Sequence, residues 1–179
     1  MNTEIIDDAL WVYNVTPETI DQIEISENIK QLHITGDFLE HFSIPEGLTD
    51  VHINSMGLKT IYIPDGLESL YISRNFLRTI EIPNSLLLLE AHHNLLSEIT
   101  FRSLPSHLRF IDIKSNRFTR LDFQLPENIN YLNAALNNLE FISPQIENFF
   151  TTQYIPKCIS PPTSDDEDWY VPFVLSKSY

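Results

Sequence analysis

Histidines and carboxylates are the residues of this chain whose types suit chemistry. His33 and His52 stand 19 residues apart, His92 and His93 follow, and Glu90 and Asp112 flank that second pair. Two imidazoles with one carboxylate, Glu90 or Asp112, are a ligand set for a divalent transition metal. A hydrolytic site would instead use His52 as base beside Tyr71, Glu90 and Asp112. The spacing carries neither reading. No nucleophile stands paired with a base, the chain's four glycines form no phosphate-cradling loop, and the single cysteine, Cys158, is remote from every histidine. The expectation is therefore a row of mixed polar side chains that recognises a partner: no catalytic residue, no cofactor, no metal and no small-molecule substrate.

The totals narrow the partner. A length of 179 residues is enough for one domain with a substantial core. Lys and Arg number 11 against 25 Asp and Glu, a formal charge of -14. That charge repels phosphate backbones and anionic headgroups, so neither nucleic acid nor a membrane surface is expected, and a protein partner of basic character is. The opening MNTEIIDDALWVYNV has no basic leader and its apolar run is short and acidic. No segment approaches the roughly 20 apolar residues of a membrane span. One cysteine makes no internal disulfide. The expected location is the cytoplasm.

What must position these side chains is a repeat. The spacing L-x-L-x-x-N-x-L fits Leu70, Ile72, Asn75, Leu77; Leu89, Ala91, Asn94, Leu96; Ile111, Ile113, Asn116, Phe118; and Leu132, Ala134, Asn137, Leu139. Upstream the apolar phase persists without Asn, as Val51, Ile53, Met56, Leu58 and Leu32, Ile34, Asp37, Leu39, and it fades at Tyr13, Val15, Glu18, Ile20. A second marker keeps the same register: Ile44-Pro45, Ile63-Pro64, Ile82-Pro83, Leu104-Pro105 and Leu125-Pro126, at intervals of 19, 19, 22 and 21 residues. Alternation in a short strand sends Leu70 and Ile72 inward and Ser69, Tyr71 and Ser73 outward. An inward Asn, with two donors and an acceptor, can bridge the turns of neighbouring units, so Asn75, Asn94, Asn116 and Asn137 are expected to stack. Pro45 to Gly47 and Pro64 to Gly66 suggest type I turns with Pro at the second position, and Thr100 to Ser103 the insertion in the longer units.

On these motifs the stretch 13–142 resembles the leucine-rich repeat superfamily, and its short units resemble those of secreted bacterial effectors and of proteins from large DNA viruses. The resemblance implies an α/β-class leucine-rich repeat solenoid. One short parallel strand per rung would line the concave side, with an extended or 3₁₀ return on the convex side. For an effector or a viral protein it implies the host cytoplasm or the virion. The ubiquitin ligase that follows such repeats in some effectors does not carry over, since Cys158 lies in PKCISPP without that ligase's acidic neighbour.

Caps should close the ends. Ile5, Ile6, Leu10 and Trp11 offer a helix or strand over the first rung. Ser143-Pro144 reads as an N-cap and first helical position, with Ile146, Phe149 and Phe150 on one face of a helix over 143–154. The division is a capped repeat domain over 1–158 and an acidic, then aromatic, tail over 159–179. The phase then assigns the outward residues. His33, His52, Tyr71, Glu90 and Asp112 form one column in which Asn14 precedes His33, and His92 and Lys114 belong to the next. Arg74 stands at the turn. Leu88, Phe110 and Tyr131 form an apolar strip among the later rungs, and Trp169, Tyr170 and Phe173 could dock the tail on a neighbour. Binding through the concave face is the expected function, with assembly into a larger particle through the tail as the alternative.

Overall fold

The computed structural model describes residues 1–103 and 107–154. Leu104-Pro105, Cys158 and the tail residues Trp169, Tyr170 and Phe173 lie outside the described residues.

The chain begins with a hairpin, β1 (Asn2–Ile6) and β2 (Ala9–Val15), and a 3₁₀ turn at Ile20–Gln22. Short strands follow: β3 (Gln31–Gly36), β4 (His41–Ser43), β5 (Asp50–His52), β6 (Thr60–Tyr62), β7 (Ser69–Tyr71) and β8 (Thr79–Ile82). Then come β9 (Leu88–Glu90), β10 (Glu98–Phe101), β11 (Phe110–Asp112), β12 (Arg120–Leu121), β13 (Tyr131–Asn133) and β14 (Phe141–Ile142), before a terminal helix α1 (Pro144–Tyr154). One sheet of eight strands runs β1-β2-β3-β5-β7-β9-β11-β13, parallel throughout except for the β1–β2 pair. The intervening strands pair as β4–β6, β8–β10 and β12–β14, also parallel, along the return side. The result is a β-solenoid of about seven stacked turns whose return side is extended, as the 19-residue spacing requires.

Alternation decides the core. In β5, β7, β9, β11 and β13 only the central residue is buried, giving the column Val51, Leu70, Leu89, Ile111, Leu132. Two residues on, Ile53, Ile72, Ala91, Ile113 and Ala134 are buried as well, as are Leu48, Leu67, Leu86 and Leu108 just before the main-sheet strands. At about 25 cal/mol per Å² of apolar area, each such column is a large favourable term that no single rung could realise alone.

The turns after the strands carry the asparagines. Asn75 Oδ1 accepts from the Met56 and Leu58 amides, both at 3.0 Å, and Nδ2 donates to the carbonyls of Ile53 at 2.8 Å and Ile72 at 3.0 Å. Asn94 and Asn116 repeat this one and two rungs on, accepting from Leu77 and Leu96, and Asn137 accepts from Phe118. Where Met56 replaces Asn, its own carbonyl takes the Leu39 amide at 2.7 Å. The preceding residue of each turn, Ser55, Arg74, His93, Ser115 or Leu136, is left-handed with φ between 54° and 61°. Cross-rung amide bonds such as Arg74 N to His92 O at 3.0 Å hold several of these residues in that unfavourable region.

Several expectations need correction. The first rung is Leu10 and Val12 rather than Tyr13 and Val15: Leu10 pairs with Leu32 and Val12 with Ile34, which brings Trp11, not Asn14, into the outward column beside His33. The 3₁₀ turn lengthens that rung to 22 residues, so stepping back by 19 falls short by three. Asn14 instead occupies a bulge at φ 55°. The N-terminal cap is an added antiparallel strand that closes the sheet edge, and Ile5 and Ile6 remain exposed. Ser73 is buried although its phase is outward, because neighbouring rungs cover so small a side chain; its Oγ donates to the Glu90 carbonyl. The proline turns centre one residue later than expected, placing Gly47 at φ 89° and Gly66 at φ 96° in the third position of type II turns. Thr100 and Phe101 belong to β10, paired with Glu81 and Ile82, so the insertion follows them. The cap helix forms as expected: the Glu147 amide donates to the Ser143 carbonyl at 2.9 Å, and Ile146 and Phe149 are buried.

Candidate binding face

In-register parallel pairing stacks the solvent-facing side chains of the main sheet in straight rows. Its central row begins Trp11, His33, His52, Tyr71, because Trp11 pairs with His33, His33 with His52 and His52 with Tyr71. Flat rings at the spacing of neighbouring strands can lie face to face. Their centroids stand 3.8, 4.1 and 4.1 Å apart, at interplanar angles of 3°, 23° and 9°. Neighbouring ring faces are thus taken up against one another, and the residues themselves are half-buried. Burial holds the His33 imidazole below its usual pKa, an effect that His52 reinforces and Asp50 opposes. Burial likewise raises the Tyr71 phenol, with Asp50 and Glu90 adding to it.

The row continues into carboxylates. Tyr71 pairs with Glu90, and Glu90 with Asp112. Residues two apart share a strand face, so each acid meets a neighbour on its own rung. Glu90 Oε1 lies 3.1 Å from His92 Nε2, and Asp112 Oδ1 accepts from the Lys114 amide at 2.9 Å. Asp50 does the same in the earlier rungs, its Oδ1 standing 2.8 Å from His52 Nε2. The parallel row Leu88, Phe110, Tyr131 is in register, and the Phe110 and Tyr131 rings stack at 4.3 Å and 6°. All three are half-buried. Arg74 is exposed at the adjoining turn.

The sequence-derived residues that are described therefore fall on one continuous face. His33 and His52 come together, and His92, two rungs beyond His52, pairs with Glu90 instead, as the rung spacing predicts. Trp11 and Asp50 were not singled out as site residues. Leu10-x-Val12 has the same alternation as Leu32-x-Ile34, a signal for Trp11 that a fixed period hides; for Asp50, the two-residue spacing to His52 was sufficient. Among the described residues no helix is long and apolar enough to cross a membrane. Comparison with protein families, with curated proteins and with solved structures finds no match.

Proposed function

We propose that this chain is a non-catalytic protein-binding module of the leucine-rich repeat type, which takes a protein partner on the solvent face of its main sheet. One observation carries the reading: the half-exposed run from Trp11 through His33, His52 and Tyr71 to Glu90 and Asp112, with the Phe110–Tyr131 stack alongside, on rungs fixed by a packed core. Aromatic side chains already immobilised lose little rotamer entropy on binding, and partly exposed aromatic rows bordered by charge are typical of interfaces. The buried asparagines, following one main-sheet strand in each turn, support the repeat type. The chain's charge of -14 favours a partner with a basic patch, which would meet Glu90 and Asp112.

Crosslinking mass spectrometry of the tagged chain in its native source tests this. Crosslinks should map to Lys114 and to the rungs around it. A triple variant Tyr71→Ala, Arg74→Ala, Phe110→Ala that still unfolds cooperatively well above the assay temperature should lose the partner. A partner retained by that variant, or crosslinked only along the return side, would sink the reading.

A further inference from the structure

His33 and His52 are register partners on adjacent parallel strands, and Asp50 lies two residues before His52 on the same strand face. One ligand atom from each of the three lies within 4.8 Å of the other two. Asp50 Oδ1 is buried and has no hydrogen-bond partner, with His52 Nε2 at ion-pair distance, 2.8 Å away. A buried carboxylate oxygen beside two imidazoles is a place where a cation would be held.

We propose that His33, His52 and Asp50 form a binding site for one divalent transition ion of the zinc class. Two imidazole nitrogens and a carboxylate oxygen suit zinc and its neighbours better than calcium or magnesium, which prefer oxygen alone. Bonds of about 2.0–2.2 Å put ligands on a tetrahedral ion roughly 3.3–3.5 Å apart, so Asp50 and His52, at 2.8 Å, would part slightly while the more distant His33 donor closes on them. The strands need not move. The two rings are already 23° from parallel, His52 Nε2 is already against Asp50, and rotation about Cβ–Cγ is the motion by which the His33 ring would join them. The half-exposed setting leaves the fourth position to water or to a donor from a partner. His33 pays for closure by leaving its flat contact with Trp11, so the ion reports itself on that indole. The inference does not depend on the partner reading.

The test uses the full chain, chelator-treated, titrated with Co²⁺ and with Zn²⁺. Co²⁺ should develop visible d–d bands at one equivalent without near-ultraviolet thiolate charge transfer, which separates this site from Cys158. Zn²⁺ should compete the bands away and raise Tm. In a Trp169→Phe background, where Trp11 is the one remaining indole, fluorescence should change along the same isotherm. His33→Gln, His52→Gln and Asp50→Asn, which keep size and folding, should each weaken Co²⁺ at least about tenfold, whereas His92→Gln should not. Absence of a Co²⁺ spectrum with no Zn²⁺-dependent rise in Tm overturns the proposal. So does binding that survives the double variant His33→Gln, His52→Gln, or that His92→Gln abolishes.

Discussion

The rungs from Asn75 onward and the rungs before it bury the same apolar phase but close their turns differently. From Asn75 to Asn137 a side-chain amide enters each turn and ties the backbone of two rungs together, saturating its donors and acceptor. At Met56 a main-chain carbonyl takes the Leu39 amide instead, and one rung earlier the Asp37 amide donates to the Val15 carbonyl while the Asp37 side chain is exposed. The early turns also rely on close backbone approach. A Cβ on Gly36 would stand 2.2 Å from the Val15 carbonyl oxygen, and Gly57, at φ 73°, lets the Phe38 ring lie across it toward Phe76. The two regions show that a solenoid needs each turn amide satisfied, not one residue type to do it. They also divide the outward chemistry, since the imidazole stack belongs to the rungs without asparagine.

Removing a side chain from each region would sharpen the contrast. Asn75→Ala strands the Met56 and Leu58 amides and the Ile53 carbonyl in the core; a loss of about 3–5 kcal/mol in urea unfolding is expected, since each buried orphan costs about 1–3 kcal/mol. Gly36→Ala forces the first two rungs apart and should cost about 1–3 kcal/mol by the same measurement. Tyr71→Ala ends the ring stack and should cost only about 0.5–1.5 kcal/mol, the worth of one aromatic contact beyond its area. Asp37→Ala, at the position where later rungs have asparagine, should stay within about 0.5 kcal/mol of the parent chain, as exposed substitutions do. If Asp37→Ala proved as damaging as Asn75→Ala, the contrast between the two regions would collapse.

Much of this scaffold was legible in the residues. The inward columns through Leu70 and Ile72, the asparagine stack, the extended return and the helix after Ser143 all follow from periodicity, and they form where that periodicity puts them. The turn chemistry was less legible, because proline fits the first or second position of a turn and only the backbone path of Gly47 distinguishes them. Of the site, the repeat phase puts His33, His52, Tyr71, Glu90 and Asp112 in one column, and they occupy one. It does not put Trp11 there, since a loop of changed length alters the count without altering the pairing.

The sequence by itself determined which side chains point in and which point out along most of the chain, because a strand's two-residue alternation is local and the apolar repeat fixes its phase. Only the tertiary structure decided which outward residues touch. Contact across rungs depends on strand register and ring orientation, set by pairing between segments about 20 residues apart, and so Trp11 lies on His33, His52 on Tyr71, and Phe110 on Tyr131.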